Sequence, residues 1–564
     1  MVIGSQRPTR GRALQMTESG GTRWQLNERP ERLFDSISRR NLLMGAGGVL
    51  LASGLAACGG SSPTPSAGGS TASAGTPKRG GNFRLGVTGG GSKDMMDGQN
   101  IVTKPDQARL MTAFETLLVF DDNYQLQTDG LAESVEADNP TQYTIKIRKG
   151  IDFQNGKPFT ADDVIYSLQR IGTQGNGLTG YAATATMDIK HLKKVDKYTV
   201  QLPMLSPDST VPQTLASYTF GMVPVGYEAY KGDPSTQIGT GCYKLKSFTP
   251  GQESVHERNP NYWRGDGSPW FDTVTITDFN DSTAQLNALK GGQIDAMTDV
   301  PAGQVDAAQG SGIGILNSQT GGWIPLCMAI DMPPFDDPKV RQAFRLIIDR
   351  KAILEQVGNG YGQIANDMYA PFDEGYDKSL PQREQDIEQA KSLLKSAGKE
   401  GLSVDLHTTN GASGMVPLAS VFASQAKAAG VNVTVKNDPN YYGDSYLKLA
   451  FSVDFWGTRG YLNQVQQGSL PNSPYNETHW PPKSGTGSDF ESLYKQALAE
   501  TDTNKRIDIQ HQMNQYEYDI GGYIIPYFNA LIDGYGSNVK GLSPSKGTLN
   551  LASFGHGFRT IWFA

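Results

Sequence analysis

The chain has 564 residues and a formal charge of −7; its first 57 residues hold eight arginines and four acids, a net +4, which leaves −11 on the rest. An acidic surface of that size argues against nucleic acid as a partner. About 480 residues past residue 80 are too many for one hydrophobic core, so two or three domains are expected.

From the N-terminus, Arg39 and Arg40 stand directly before a run from Leu42 to Ala57 that carries no charge. A twin arginine before such a run is a bacterial export signal, and about sixteen residues is short for a membrane span. The run ends in Leu55-Ala56-Ala57-Cys58, which resembles the lipobox of bacterial lipoproteins, in which the cysteine is acylated and becomes the mature N-terminus. We therefore expect residues 1–57 to be a twin-arginine lipoprotein signal peptide and Cys58 to be lipidated. Residues 58–80 carry no large apolar side chain and read as a flexible tether with a reach of roughly 25 Å. No second long apolar run follows, so the body reads as globular.

Residues 81–87 read as a first strand running into the glycine turn Gly89-Gly90-Gly91. Residues 142–147 alternate as a strand does, with Tyr143, Ile145 and Ile147 on one face. An Asn155-Gly156 turn precedes a helix signalled by Thr160 with Asp163 three residues on, and Val164, Leu168 and Ile171 form its apolar stripe. A helix over 282–290 stops at Gly291-Gly292 and leads to a short strand over 293–296. Asp337-Pro338 starts another helix, with Val340, Phe344, Ile347 and Ile348 on one face. Residues 490–499 and 505–518 read as an antiparallel helix pair leading to a strand over 523–528. Cys242 and Cys327 remain once Cys58 is lipidated, and they are candidates for a disulfide in an oxidising compartment or for two separate buried thiols.

The chain carries no catalytic signature. Its six histidines, His191, His256, His407, His479, His511 and His556, include no H-E-x-x-H pair. There is no G-x-S-x-G elbow, and the Gly-Lys pairs at 156 and 398 lack the Ser or Thr of a phosphate-binding loop. We expect a binder, with no enzyme activity, cofactor or metal.

Six blocks carry a family resemblance: G-L-A-E-S-V-E at 130, I-R-K-G-I-D-F-Q-N-G-K-P-F-T-A-D-D-V at 147, G-T-G-C-Y-K-L at 239, E-R-N-P-N-Y-W at 257, L-K-G-G-Q-I-D-A at 289 and P-P-F-D-D-P-K-V-R-Q-A-F at 333. In this order they resemble the family 5 extracellular solute-binding proteins of ABC importers, the dipeptide, oligopeptide and nickel-chelate binders. The likeness covers the chain from Gly80 to its end. Cys242 and Asn261 depart from it, at positions where the family usually has Pro and Asp. The resemblance implies an α/β fold, a two-lobed clamp like the periplasmic binding proteins with an additional domain on the first lobe. It assigns lobe I to 81–120, 230–325 and 528–564, the additional domain to 121–229, and lobe II to 326–527. It also implies delivery of a solute to ABC permease subunits. With the signal segment, which places the chain outside the cytoplasm and anchors it to the membrane by lipid, we expect an extracytoplasmic, membrane-anchored monomer.

Two segments are ligand candidates. In D-F-W-G-T-R-G-Y-L-N-Q at 454, peptide binders of the family often have Asp three residues after Trp to neutralise the ligand's α-ammonium, whereas here Arg459 follows Trp456 at that spacing. The charge is reversed, and the planar guanidinium fork suits a carboxylate or phosphate. A pairing of Arg459 with an acid across the interlobe seam stands as the equal alternative. Trp456 is expected to contact ligand, and Tyr461 either to stack on it or to pack the hinge region. The second candidate, Pro471 to Trp480, gathers Tyr475, Asn476, Glu477, His479 and Trp480. It reads either as a small-molecule lining, with Glu477 accepting an ammonium, or as a self-packed loop. Thr88, Gly89 and Gly90 in the turn after the first strand, and Trp323, are weaker candidates. The expected solute is peptide-like or otherwise zwitterionic. A non-peptide such as an opine, an oligosaccharide or a metal chelate, or service as an extracytoplasmic sensor docking on a chemoreceptor, are the alternatives.

Overall fold

The computed structural model describes residues 75–564 apart from 92–93 and 266. All of these fall in the unit Arg39–Ala564. The export signal with Arg39 and Arg40, the lipidation site Cys58 and most of the tether lie outside the described residues.

Three sheets organise the chain. The largest has eight strands, and its central strand is Asn82–Thr88, whose Phe83, Leu85 and Val87 are fully buried. That strand runs parallel to Thr273–Phe279 on one side and to Ala296–Met297 on the other; Phe83, Leu85 and Val87 form its apolar face, and the opposite face carries Arg84, paired with Asp295. The helix Ser282–Lys290 fills the crossover, N-capped by Asp281. The expected strand over 293–296 is found as Ala296–Met297, because Gln293 still donates back to the helix at Ala288 O, 2.8 Å away, before pairing begins.

A four-stranded antiparallel sheet holds Gln142–Ile147 at its interior and is covered by the helix Ala161–Gly172. The Thr160/Asp163 capping box starts this helix, with the Thr160 N–H donating to Asp163 Oδ2 at 2.9 Å. Ile145, Val164, Leu168, Ile171 and Val200 close the core between them. A five-stranded mixed sheet, in the order 432–437, 403–408, 451–453, 326–328, 523–524, is packed by Pro338–Ile347 and Met415–Ala426 through Phe344, Ile347, Phe422 and Phe451.

The chain passes four times between the eight- and five-stranded sheets, because Gln363–Ile364 leaves the smaller sheet to pair with Tyr527–Phe528 of the large one; the first and last passages are the shortest. Gly314–Trp323 of the large sheet leads into Leu326–Met328 of the smaller one. The expected single strand over 523–528 is two strands: Tyr523–Ile524 pairs with Leu326–Cys327, and Tyr527–Tyr535 joins the large sheet. Pro325 and Pro526 sit in these two short crossings. Having no N–H, each ends one ladder before the next begins. Asn550–Phe558 is helical, with left-handed φ from Leu551 to Gly557. Among the described residues no helix is long and apolar enough to cross a membrane.

Candidate functional site

A cavity of about 770 Å³ opens where four parts of the chain meet. They are the segment Phe114 to Gly130, residues 213–221 of the region carrying the four-stranded sheet, the loop Gly457–Gly460, and the C-terminal stretch 547–560. Its size is within the roughly 300–1,000 Å³ usual for small-molecule sites.

One wall is a hairpin. Val119–Phe120 pairs with Leu126–Gln127, and Asp121 Oδ1 closes the turn by accepting the N–H groups of Asn123 and Gln125 at 2.8 and 2.9 Å. Tyr124 takes a left-handed φ of 62° and stacks flat on Phe120, with ring centroids 4.3 Å apart. From there its hydroxyl reaches Thr458 O at 3.5 Å, on the facing loop.

That loop is fixed at both ends. Trp456 and Trp323 exchange two backbone hydrogen bonds of 2.9 Å. Thr458 Oγ1 accepts from the Gly321 N–H at 2.9 Å, and the Tyr461 N–H donates to Asp373 Oδ2 at 2.7 Å, where the helix Tyr461–Gly468 begins. Arg459 is carried between these anchors. Its guanidinium lies over the Trp456 ring, 5.2 Å from the centroid, and Nη1 is buried without a hydrogen-bond partner. Among the described residues no carboxylate pairs with it. Burial pulls its pKa down, and only the phenols of Tyr218, Tyr124 and Tyr475 act in the other direction. A charge taken out of water without a counter-ion is expensive. The wall therefore presents a planar cation, next to a helix N-terminus, to whatever fills the cavity.

The other charged lining groups are mostly balanced. Glu115 accepts from Tyr262, Trp263 and Thr240, each at 2.8 Å, and Arg264 joins it to Asp129 through a 2.5 Å bond. Cys242 also lines the cavity, its thiol bonded to Gly557 O at 3.1 Å.

Of the ligand-contact candidates singled out by sequence, Arg459 alone lines this cavity. Trp456, expected to touch ligand, is 7 % exposed and lies under Arg459; its ring stacks on Trp323 and meets the edge of Tyr475. Tyr461 points away from the cavity: fully buried, it stacks on Tyr369 and donates to Glu517 Oε2 at 2.7 Å. The loop Pro471 to Trp480 turns inward. Asn476 holds it by donating to Leu470 O and Trp480 O, and Trp480 packs edge-on against Phe490 at the start of the next helix. Glu477 is buried and accepts the Tyr523 hydroxyl at 2.6 Å. Burial, then the neighbouring Asp454, push its pKa well above the usual carboxylate range, so it is held neutral rather than offered to an ammonium. Thr88 and Gly89 end the central strand away from this space, with the Gly89 N–H bonded to Phe279 O. A Cβ on the neighbouring Gly90 would meet Asp94 and Asp278 side chains within 3 Å, a packing reason for that glycine. Trp323 belongs to the aromatic layer between the crossings. Cys242 and Cys327 are both free, buried in different cores, Cys242 in that of the large sheet and Cys327 in the aromatic layer.

Sequence reasoning missed the hairpin with Asp121, Asp122 and Tyr124, as well as Tyr218 and the C-terminal His556 and Arg559. A Phe-Asp-Asp-Asn-Tyr turn was a readable hairpin signal. Tyr218 and His556 reach the site by tertiary packing alone. Among the described residues no group of three His, Cys, Asp or Glu side chains is placed to hold a metal.

The profile of the bacterial extracellular solute-binding proteins, family 5 Middle, matches residues 128–476. The oligopeptide-binding protein AppA of Bacillus subtilis is 29% identical over 418 residues, which cover 68% of this chain and 74% of AppA. The nickel-binding protein NikA of Staphylococcus aureus is 26% identical over 385 residues, 65% of this chain and 75% of NikA. Among solved structures, the binding protein AgaA from A.tumefacien R10 in complex with agropinic acid superposes with a TM-score of 0.68 at 21% identity, covering 86% of this chain and 99% of that one.

Proposed function

This chain belongs to the bacterial extracellular solute-binding proteins, family 5, and we propose that it captures a small, peptide-like or otherwise zwitterionic solute in the cavity between its lobes and delivers it to an ABC permease. The observation that carries the solute class is Arg459, a half-buried cation in the cavity wall whose Nη1 is buried and which has no carboxylate partner among the described residues. A solute carboxylate supplies the missing counter-charge and two parallel hydrogen bonds. That Arg459 forms no ion pair with an acid among the described residues favours this reading over the interlobe pair. AppA and NikA, an oligopeptide binder and a nickel binder by name, support transport of a small solute.

The lobes we assign are 81–120, 230–325 and 528–564 for the first, 326–527 for the second, and 121–229 for the additional domain. Closure by hinge motion takes place at the two crossings that hold Pro325 and Pro526. We further assign an extracytoplasmic location, with Arg39 and Arg40 directing export and an acylated Cys58 anchoring a monomer to the membrane. Cys58→Ala is expected to release the protein from the membrane fraction or block its processing; unchanged fractionation and N-terminal mass would refute the anchor.

A second reading keeps the clamp and replaces the peptide by another carboxylate-bearing solute, such as an opine. The likeness to AgaA, solved with agropinic acid, favours it together with Arg459. Thermal-shift screening against short peptides, opines, sugars and metal chelates separates the two. A solute at 100 times its Kd stabilises the folded protein by about 2.7 kcal/mol. Carboxylate-bearing members are expected to dominate the hits. Hits confined to neutral sugars would overturn the role given to Arg459.

A further inference from the structure

Charge accounting around the cavity leaves a second pole. Glu115 and Asp129 share Arg264, and Arg559 Nη2 lies 4.0 Å from Asp129, so these acids face full cations. Asp121 spends its oxygens on its own turn, accepting from the Asn123 and Gln125 backbone and from Gln127 Nε2. Asp122 differs. Its Oδ1 faces His556 Nε2 at 3.0 Å and its Oδ2 accepts the Ser543 hydroxyl at 2.5 Å. Neither partner is a lysine or arginine, and a carboxylate has about four acceptor positions, so two bonds leave capacity for more. Burial pushes the Asp122 pKa up, but the hydrogen bonds from His556 and Ser543 outweigh it and hold the carboxyl below its usual value, that is, ionised.

Both Asp122 and His556 line the same cavity as Arg459. The two poles stand on different elements: Asp122 on the hairpin turn, Arg459 on the loop that this hairpin touches through Tyr124. We propose that Asp122, steadied by His556, receives the positively charged group of the solute, so that the site takes a dipolar molecule with its carboxylate at Arg459 and its ammonium at the hairpin turn. This rests on the reading of the cavity as the solute site. It places the ammonium away from the Trp456–Arg459 loop and away from Glu477, which is sealed behind that loop.

The remaining duty of Asp122 is to tie the hairpin to the C-terminal stretch, and the backbone shares it, since the Lys546 N–H donates to Asp122 O at 2.8 Å. A side chain that served only as this tie would make no distinction between solutes. The test is calorimetry on the whole soluble protein with trialanine, tetraalanine and pentaalanine, each also N-acetylated. On the wild type, acetylation should weaken binding roughly tenfold to a hundredfold, the range for losing a hydrogen bond to a charged group. In Asp122→Asn the free peptide should fall to the level of its acetylated form, with the two within about twofold. Equal binding of free and acetylated peptide by the wild type overturns the proposal whatever the variant does, including a variant that does not fold. If amidation of the C-terminus weakens binding while acetylation does not, the Arg459 reading survives and the second pole falls. Binding of no peptide in either form overturns the peptide reading and this proposal with it.

Discussion

The two sides of the segment from Asp454 to Trp480 hold charge in opposite ways. On the cavity side, Arg459 is a cation that no carboxylate pairs with among the described residues. Behind it, Asp454, Glu477 and Glu517 are buried carboxyls whose partners are tyrosine hydroxyls: Tyr442 and Tyr446 on Asp454, Tyr523 on Glu477, Tyr369 and Tyr461 on Glu517. Burial raises the pKa of all three carboxyls and so favours their neutral forms, whereas a guanidinium stays charged at any ordinary pH. Burial alone therefore does not mark a binding residue. A buried group that has satisfied itself by neutralising and hydrogen bonding is part of the frame. One that can do neither is waiting for a ligand.

The largest expected effect tests the rear side. The Glu517 pKa is pushed by burial from 4.5 to about 7. Because the folded value lies above the unfolded one, its contribution to stability is fully present below about pH 4.5 and is lost as pH rises to about 7. A displacement of that size corresponds to about 3 kcal/mol. Glu517→Gln should remove this part of the pH dependence, read as hydrogen-exchange protection of the helix Thr503–Ile520 between pH 5 and 7.5. Asp278 and Asp533, with pKa values near 7 and 6, titrate in the same window, so the informative quantity is the difference between variant and wild type. An unchanged difference would mean that Glu517 is ionised in the fold and that the contrast drawn above is wrong for it.

The frame was more legible in the sequence than the site. Gln142–Ile147, Ser282–Lys290 and Phe490–Ala499 are found at the residues their periodicity marks, because period and capping are local properties. The strand over 523–528 was misjudged as continuous because its apolar run is unbroken, while the transfer at Pro526 from one sheet to another is a matter of tertiary pairing. The same limit applies to the site. The loop with Tyr475, Asn476, Glu477 and Trp480 has the composition of a binding surface, and composition does not reveal which way side chains turn. Arg459 was found through its spacing from Trp456, a comparison of charge with the resembling family. Asp122 and His556, 434 residues apart, could not be paired from sequence.

The next effect in size falls on the cavity side. Arg459→Ala should weaken a carboxylate-bearing solute by about 1.5–3 kcal/mol, the range for hydrogen bonds to charged groups. It should leave the amide analogue nearly unaffected and the free protein no less stable, since it removes a half-buried charge that has no ion-pair partner among the described residues. Lys should restore only part of the affinity, because a point charge does not reproduce the two-bond fork. Equal losses for acid and amide, measured by calorimetry, would make Arg459 a closing latch and move it to the frame side of the comparison.

The smallest effect belongs to Trp456, which stands on the border between the two sides. Its backbone belongs to the crossing with Trp323, and its ring lies beneath the Arg459 guanidinium at 5.2 Å. A ring in that position attracts the cation by about 0.5–1 kcal/mol, and the attraction fixes the plane of the fork before the solute arrives. Trp456→Phe keeps the backbone bridge and an aromatic face but weakens the attraction, so affinity for the carboxylate solute should fall only a few-fold. If the ring acts through Arg459, that loss should vanish for the amide analogue and in the Arg459→Ala background, a coupling that a double-mutant cycle measures directly. A loss that persists in both would mean that the indole itself touches the solute, and the boundary between frame and site would then run behind Trp456 rather than in front of it.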